Sequence, residues 1–323
     1  MFVKEVLENG GSLHPLFIDP SYTMGTGIMN PSIYVDNDKL LLNIRPINYT
    51  LFHSEKKVIT HPWGPVHYVH PENDLHLRTI NYLGELSNDY SWKYYSRVDT
   101  SLLDKDPLWE FVGLEDGRIV RWDDKLYLSG VRRDTTTNGQ GRMELSEIIQ
   151  EGNSFKEISR VRLPAPDNDN TYCEKNWMPI LDKPYQYVKW CNPTQVVKVC
   201  KDGGPTVSLH IGDYQYYSYD FRGSSQVIPY KDHYICLVHS CLLYTSDTGR
   251  RDARYRHLFI VWDKNWNVVR YGEPFSFLGG EIEFCCGLCL WKNKFLITFG
   301  FQDNSSFLLE CPVDFIVKKI FKN

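Results

Sequence analysis

The sequence predicts an all-β protein, specifically a five-bladed β-propeller of antiparallel sheets. Aromatic residues make up 14% of the 323 residues, and 22 Gly with 17 Pro interrupt the chain at short intervals, a composition that favours short strands over long helices. Hydrophobic residues, at 42%, are sufficient for a large core. A hairpin preceded by a polar cluster recurs along the chain, and such a repeat is typical of propeller blades.

Each repeat consists of a polar or charged cluster, a short apolar strand, a turn rich in Asp, Asn and Lys, and a second apolar strand. The clusters begin at Asn30, Glu115, Glu174, Arg222 and Glu281. The turns are expected at residues 36–39, 123–125, 182–184, 231–232 and 292–294. Asn30, Asp116 and Lys175 each stand eight residues before a turn residue, so we expect the clusters to occupy equivalent positions.

The position of the clusters distinguishes a propeller from a two-sheet sandwich. A sandwich would also show alternating strands and Asp or Asn turns. It gives no reason, however, for a polar cluster to precede the same hairpin each time. In a propeller the first strand of each blade lines a central channel, which gives the clusters a common location. Because no segment has the composition of a linker, we expect residues 1–323 to form a single five-bladed domain.

Three segments between the repeats are less regular. Residues 52–82 contain five His and three Pro and are expected to form a long loop or strand insertion over one face. Residues 143–150 show a helical pattern of apolar positions. The basic run at 250–257 is expected to be a solvated loop, and the alternative is that it contacts a diphosphate donor or a nucleic-acid backbone.

The overall charge limits the classes of partner. The chain carries 36 Lys+Arg and 40 Asp+Glu, a formal charge of -4, so it has no global positive field to recruit nucleic acid or an anionic membrane. No run of about eighteen apolar residues occurs. Lys4, Glu5 and Glu8 stand where a signal peptide would be apolar. We therefore expect a soluble, cytoplasmic protein that has no membrane partner. A nucleic-acid partner is disfavoured, and any polyanion would have to be held locally.

The cysteines do not predict a metal site. Several of the nine lie in apolar, strand-like runs, and we expect them to be reduced. Cys286 and Cys289 have the spacing of a metal-binding pair, but no second pair or His pair completes a zinc site. The sequence therefore predicts neither a metal nor a resident cofactor.

A propeller would bring the polar clusters together, because the starts of its inner strands converge at one end of the channel. The residues expected to meet there are Asn30, Asp116, Lys175, Arg222 and Glu283. Charged groups are costly to bury alone and persist mainly when they are paired or serve a ligand. We favour a ligand site, and the alternative is a ring of salt bridges that ties the blades together. Carboxylates beside cations in a polar cleft suit glycosyl transfer.

Spaced motifs in these clusters are similar to those of one known family. Glu115 to Arg118, with Ile119 after them, form a Glu-Asp-Gly-Arg sequence where that family has Glu-Asp-Pro-Arg. Asn30 and Pro31, followed by Arg45, are similar to its early Asn-Pro and Arg pair. The motifs resemble those of the β-mannoside phosphorylases, glycoside hydrolase family 130, which are five-bladed propellers.

Two later motifs extend the resemblance over most of the chain. Residues 174–179 resemble the Lys-bearing strand of that family, and residues 222–224 with His239 resemble a later strand. The resemblance implies that Asp116 is the general acid, and Glu115 beside it is the second catalytic candidate. It implies that Asn30 and Arg45 contact the sugar and that Lys175 and neighbouring cations hold phosphate or another anion. The other substrate-binding candidates are Arg118, Asn176, Arg222, His239 and Glu283.

These observations together predict a carbohydrate-active enzyme that catalyses inverting glycosyl transfer. The resemblance implies a phosphorylase or hydrolase that acts on β-linked, manno-type sugars, with inorganic phosphate or an activated sugar as co-substrate and no cofactor. The first alternative is a glycosyltransferase that uses a nucleotide sugar or sugar phosphate to modify a glycan or another polymer such as DNA. The second alternative is a non-catalytic propeller that binds glycans.

Overall fold

The structure is a computed structural model that describes residues 1–24, 26–51, 68–69, 74, 76–166, 169–215, 220–245 and 251–321. The chain begins with helix α1 and strand β1. A first group of four antiparallel strands, in the order β2-β3-β7-β8, then forms blade one. The elements are α1 (Phe2–Glu8), β1 (Ser12–Leu16), β2 (Ile28–Asp36), β3 (Lys39–Pro46), β4 (Thr50–Leu51), β5 (Tyr68–Val69), β6 (Leu77–Arg78), β7 (Tyr82–Leu86) and β8 (Trp92–Asp99).

Blade two follows directly and is joined to blade one. Its strands are β10 (Glu115–Trp122), β11 (Lys125–Arg132), β12 (Arg142–Glu151) and β13 (Ser154–Arg162), preceded by the short β9 (Phe111–Val112). β13 pairs in parallel with β8, with Phe155 opposite Val98, so the two blades share an eight-stranded sheet. β9 also pairs with β6 of the preceding segment.

Blades three and four repeat the antiparallel pattern. The strands of blade three are β14 (Met178–Pro179), β15 (Gln186–Cys191), β16 (Thr194–Lys198) and β17 (Val207–Ile211). Those of blade four are β18 (Phe221–Gly223), β19 (Ile228–Tyr230), β20 (His233–Thr245), β21 (Arg251–Trp262) and β22 (Val268–Tyr271). Both β18 and β19 pair with β20, so the innermost strand of blade four is interrupted.

Blade five closes the ring with a strand from the other end of the chain. It consists of β23 (Glu283–Trp291), β24 (Lys294–Phe301) and β25 (Ser305–Pro312), followed by α2 (Val313–Phe321). The amino-terminal β1 pairs with β25 as its outermost strand, with Ser12 opposite Glu310. The predicted five-bladed, antiparallel propeller is confirmed.

The predicted hairpin turns have a clear backbone cause. Asn37 with Asp38, and Asp123 with Asp124, all have positive φ, between 46° and 64°. Two consecutive residues in this region match the twist of the strands they join, and Asn and Asp tolerate it best among residues with a side chain. Lys292 and Asn293 adopt the same conformation in blade five. In blades one, two and five the predicted turns are thus two-residue turns of this kind.

Two local predictions were wrong. Residues 143–150 form strand β12, not a helix, because their apolar side chains face different neighbours. Met143 and Leu145 pack towards blade three, whereas Ile148 packs with Leu83 of blade one. The basic run was predicted to be a loop, but its described part from residue 251 lies in β21, where His257 is buried completely.

The predicted insertion at 52–82 falls largely outside the described residues, apart from the short strands given above and the start of β7. The described core consists of apolar clusters between adjacent blades, such as the one that joins Trp122 and Tyr127 of blade two to Tyr187 of blade three. No helix in the described part of the chain has the length and apolar character needed to cross a membrane.

Candidate functional site

Three inner strands have a residue in the left-handed region of backbone space near their start. Asn30 has φ 46°, Asp116 has φ 51°, and Asn176, just before β14, has φ 63°. Such φ values are uncommon outside glycine, and they cluster at functional sites. The predicted equivalence of Asn30 and Asp116 is confirmed. In blade three, however, the equivalent residue is Asn176, one position after the predicted Lys175.

The Asp116 carboxylate is held between blades one and two. Arg45 Nη1 donates a hydrogen bond to its Oδ1 at 2.7 Å, and Asn30 Nδ2 donates to the same oxygen at 2.8 Å. The Asp116 side chain keeps 15% of its surface exposed, whereas Arg45 keeps 3%. Burial alone would raise the pKa of this carboxyl, but the charges of Arg45 and Arg118 and the hydrogen bond from Asn30 outweigh it, so the pKa is lowered.

Arg45 is fixed by contacts on every side of its guanidinium group. Its Nε donates to Thr79 Oγ1 at 3.0 Å and its Nη2 donates to Tyr49 Oη at 2.9 Å. The same Nη2 lies 3.5 Å from Glu115 Oε2. Sequence reasoning missed Tyr49 and Thr79, since neither lies in a repeated cluster. Their contacts leave Arg45 one orientation, with Nη1 directed at Asp116.

Asp303, in the turn between β24 and β25, is a second carboxyl at this end of the ring that the sequence did not single out. Burial raises its pKa to about 6, against the positive charge of Arg45. The carboxylates of Asp116 and Glu115 raise this pKa further, and Lys175 opposes them. Asp303 therefore lies within electrostatic range of Arg45, Asp116 and Glu115. The available signal was the polar sequence 302–304 between two apolar strands.

The predicted cations lie around the same end of the ring. Lys175 is exposed, and its ammonium group lowers the pKa values of Asp116 and Asp303. Arg222 lies opposite His239 in the ladder between β18 and β20. Its guanidinium makes a 3.4 Å contact with Asp220 on the surface. Both cations are therefore accessible to an anionic ligand.

Arg118 is buried beneath Asp116 and ties blade two to blade four. Its Nη1 donates to the Asp116 carbonyl oxygen at 3.1 Å, and its Nε donates to the Ser224 carbonyl oxygen. Arg118 thus supports the site from below and lends it positive charge. The buried amide oxygens Oδ1 of Asn30 and Asn176 have no hydrogen-bond partner among the described residues. Neither oxygen is accessible, so each is a buried acceptor that the described residues leave unsatisfied.

Two predicted substrate-binding residues serve the protein scaffold. Glu283 is buried completely, and its carboxylate accepts hydrogen bonds from the backbone N–H groups of Phe277, Leu278 and Gly280 at 2.6, 2.8 and 2.9 Å. Glu283 therefore anchors the loop before β23 and offers no exposed atom to a substrate. His239 is also buried, with its Nδ1 2.9 Å from Ser224 Oγ, and burial holds its pKa well below the ordinary range.

We call one group of residues at this end of the ring the axial site: Asn30, Arg45, Glu115, Asp116, Lys175 and Asp303. It combines an ionised carboxylate, a carboxyl with a raised pKa, a fixed guanidinium and an exposed ammonium group. Paired carboxyls whose environments separate their pKa values are the equipment of acid-base and glycosyl-transfer chemistry. No group of three or more His, Cys, Asp or Glu side chains in the described part of the chain is placed to hold a metal ion.

Neither a protein-family model nor a curated protein sequence matches the chain. Solved structures do match it. A β-1,2-mannobiose phosphorylase from Listeria innocua superposes with a TM-score of 0.55 at 12% identity, over 95% of this chain and 96% of that chain. A mannose phosphorylase from Leishmania mexicana, solved with phosphate ion, gives 0.52 at 12% identity, over 100% and 96%. The chain has the propeller fold of these enzymes.

A third match has a different activity. A GDP-Man-dependent mannosyltransferase from Leishmania mexicana superposes with a TM-score of 0.56 at 12% identity, over 95% of this chain and 92% of that chain. At this level of identity the likeness establishes the fold alone. The resemblance to propeller enzymes that the sequence motifs indicated is confirmed at that level.

Proposed function

We propose that the protein is a sugar-processing enzyme that transfers a glycosyl group with inversion, acting at the axial site on a β-linked, manno-type sugar. The observation that carries this proposal is the pair of carboxyls around Arg45. The pKa of Asp116 is lowered, and that of Asp303 is raised to about 6. Asp116 is therefore an anion at neutral pH, whereas Asp303 retains its proton up to about pH 6.

The proposed roles follow from these protonation states. A departing glycosidic oxygen needs a proton, and Asp303 is the carboxyl whose pKa lies nearer neutrality. Asp116, held as an anion by Arg45 and Asn30, faces the sugar and stabilises the positive charge that develops at the anomeric carbon. In this assignment Asp116 still contacts the reacting sugar. The role of general acid, which the resemblance gave to Asp116, passes to Asp303.

The exposed cations supply a place for the attacking group. In phosphorolysis, inorganic phosphate attacks the anomeric carbon directly, and it requires positive charge close to the sugar. Lys175 and Arg222 lie at the same end of the ring and are accessible. The contact of Arg222 with Asp220 is exposed, so little free energy opposes its rearrangement towards an anion. A guanidinium group also matches the geometry of phosphate.

A direct assay tests the proposal. The protein is incubated with inorganic phosphate and β-linked manno-oligosaccharides, and the products are followed by NMR. Inversion of a β-linkage yields α-mannose 1-phosphate, and release of free mannose without phosphate indicates hydrolysis. Binding of oligosaccharides without turnover under either condition would contradict the enzymatic proposal and support the non-catalytic alternative.

A nucleotide-sugar transferase is the second candidate, and the lowered pKa of Asp116 is the observation that favours it. A carboxylate that remains ionised can accept the proton of an acceptor hydroxyl. Under this alternative, GDP-mannose should raise the melting temperature of the protein and act as donor in the presence of a mannoside acceptor. Turnover with GDP-mannose, but not with phosphate, would replace the first candidate with the second.

A further inference from the structure

An exposed aromatic ring lies on the segment that joins blade two to blade three. It belongs to Tyr172, which is 47% exposed, and Arg133 Cζ lies 5.5 Å from the centre of the ring. Arg133 also lies over the ring of Phe111, with Cζ 5.0 Å from its centre. Phe111 is buried, so Tyr172 and the half-buried Arg133 form the accessible part of this stack. We call Arg133 and Tyr172 the rim platform.

The Tyr172 side chain is held in one orientation although it is exposed. Arg133 Nη2 donates a hydrogen bond to Tyr172 Oη at 2.9 Å, and Tyr172 Oη donates to the Asn138 carbonyl oxygen at 3.0 Å. Arg133 Nε donates to the Gly139 carbonyl oxygen at 3.0 Å. The backbone is held as well, since Gly141 N donates to the Tyr172 carbonyl oxygen at 3.0 Å. Ordering an exposed side chain costs conformational entropy, and a ring that is fixed in advance spares a ligand that cost.

The loop that carries Arg133 is packed against the protein. Gly139 has φ 65°, and a Cβ atom at this position would lie 2.2 Å from Nε1 of Trp109. The backbone of the loop therefore lies directly on the indole ring, where only glycine fits. The rim platform thus rests on the framework of blade two.

The rim platform lies at the same end of the ring as the axial site. In the ladder between β10 and β11, Glu115 lies opposite Val131, and Arg133 follows two residues later. Tyr172 precedes Lys175 by three residues. Because an extended chain spans at most about 3.6 Å per residue, the Cα atoms of Tyr172 and Lys175 lie within about 11 Å of each other. A sugar chain that reacts at the axial site can therefore reach the platform.

Packed side chains also connect the rim platform to the axial site. The Phe111 ring beneath Arg133 belongs to the same buried apolar cluster as Tyr49. Tyr49 Oη in turn accepts the hydrogen bond from Arg45 Nη2 at 2.9 Å. The position of the platform is therefore fixed relative to the guanidinium group of Arg45.

The chemistry of the rim platform suits a sugar ring. An aromatic face attracts the C–H bonds on one side of a pyranose ring, and sites for small molecules combine such faces with a few polar groups. A guanidinium group has five N–H donors, and the contacts with Gly139 and Tyr172 use two of them. In the described part of the chain, the remaining donors of Arg133 have no hydrogen-bond partner and no carboxylate forms a salt bridge with it. They are available to the hydroxyl groups of a sugar.

We propose that the rim platform is a second saccharide subsite, which binds a sugar unit beyond the two units that flank the reacting bond. The ring of this distal sugar stacks on Tyr172, and one of its hydroxyl groups accepts a hydrogen bond from Arg133. The inference rests on the proposed action of the axial site on manno-type sugars, and it adds the length of the substrate. The protein should therefore bind oligosaccharides more tightly than disaccharides.

The dependence of binding on chain length tests the proposal. Affinities for mannobiose and mannotetraose, in the β-1,2-linked and β-1,4-linked series, are measured by isothermal titration in phosphate-free buffer. Tyr172→Ala should weaken binding of mannotetraose roughly three- to tenfold and leave binding of mannobiose unchanged. Tyr172→Phe keeps the ring and should restore most of the lost affinity. Tyr214→Ala is the control, since Tyr214 is 66% exposed and follows the outermost strand of blade three, and it should leave both affinities unchanged.

Two outcomes would overturn the subsite directly. Equal losses for mannobiose and mannotetraose in Tyr172→Ala, with a lowered melting temperature, would show that Tyr172 only supports the loop. Full binding of mannotetraose in Tyr172→Ala would remove the ring from the binding surface. A loss confined to GDP-mannose would overturn the saccharide assignment, because the ring would then stack on a nucleobase.

Turnover separates this inference from the proposed function. Initial rates with phosphate are measured for both chain lengths. Turnover with the same KM for mannobiose and mannotetraose would overturn the subsite and leave the proposed function intact. Binding of mannotetraose that depends on Tyr172, without turnover, would overturn the proposed function and support the subsite. Absence of oligosaccharide binding at millimolar concentration would overturn both.

Discussion

Arg45 on β3 and Asp116 on β10 form a 2.7 Å ion pair that joins blades one and two at the end of the ring where the inner strands begin. The guanidinium group of Arg45 is almost fully desolvated in this pair, since its side chain is 3% exposed. Its geometry is reinforced by Thr79 and Tyr49, so the guanidinium cannot turn away. A second ion pair, Arg121 with Asp36, also joins these blades, and its arginine side chain is more exposed, at 28%.

The contrast between the two ion pairs gives the first prediction. Arg45→Met should destabilise the protein by about 3–5 kcal/mol, because it leaves buried partners of Arg45 without their cation. Arg121→Met, at a bidentate pair between the same blades, should cost less, because its side chain is 28% exposed and water partly screens the pair. Urea unfolding of both variants measures the difference. Similar losses for both would show that burial does not distinguish the pairs.

Substitution of Asp116 tests the chemistry of the axial site without removing its hydrogen bonds. In Asp116→Asn the amide oxygen can still accept from Arg45 and Asn30, but the buried guanidinium of Arg45 loses its nearest anion. The melting temperature should therefore fall, and turnover is measured below it. Loss of the negative charge should reduce turnover by roughly 10²–10⁴-fold. Asp123→Asn, in a two-residue turn that Asn tolerates, is the control and should retain full activity. A rate unaffected by Asp116→Asn would end its catalytic assignment.

The sequence predicted the parts of this site that depend on local backbone rules. Asp123 and Asp124 form the predicted turn because their residue types tolerate positive φ, and the spacing from that turn located Asp116. The sequence did not reveal Asp303, because its pKa is raised mainly by burial in the folded ring, and further by the carboxylates of Asp116 and Glu115, which lie in another blade. Nor does the sequence show which way a carboxylate near the start of a strand points. Asp116 faces the axial site, whereas the Glu283 carboxylate accepts hydrogen bonds from backbone amides.

The raised pKa of Asp303 predicts a pH dependence of activity. If Asp303 donates the proton, turnover should fall as the pH rises through about 6, since the acid is then lost. Asp303→Asn should abolish this limb of the profile together with most of the activity. The measurement is the initial rate of sugar 1-phosphate formation between pH 4.5 and 8. A profile that keeps the same limb in Asp303→Asn would assign the titration to another group.

The same carboxyl predicts the pH dependence of stability. The pKa of Asp303 is about 6 in the folded protein, against an ordinary value of 3.8 that applies to the unfolded chain. Between pH 3.8 and pH 6 the folded protein therefore binds more protons than the unfolded chain. The contribution of Asp303 to stability is therefore greatest below about pH 4 and is lost as the pH rises through 6. The melting temperature of Asp303→Asn should exceed that of the wild type at pH 8, where the wild type buries an ionised carboxylate. The difference should be smaller at pH 4. An unchanged difference at the two pH values would contradict the raised pKa.

The last prediction concerns Glu283 and distinguishes a structural role from a catalytic one. Its carboxylate accepts three backbone hydrogen bonds in the loop before β23, and a glutamine can present only one acceptor oxygen to them. Glu283→Gln should therefore destabilise the protein by about 1.5–3 kcal/mol, the range for a hydrogen bond to a charged group. Below its lowered melting temperature the variant should keep near-normal turnover.

The control for Glu283 is its neighbour Glu281, whose carboxylate pairs with Arg254 at the surface at 2.7 Å. Glu281→Gln should change the free energy of unfolding by less than about 1 kcal/mol, since exposed ion pairs contribute little. Unfolding in urea and turnover at 20–25 °C are measured for both variants. A Glu283→Gln protein with full stability but no activity would return Glu283 to the substrate-binding role that the sequence predicted, because only a direct contact with the sugar could then explain the loss.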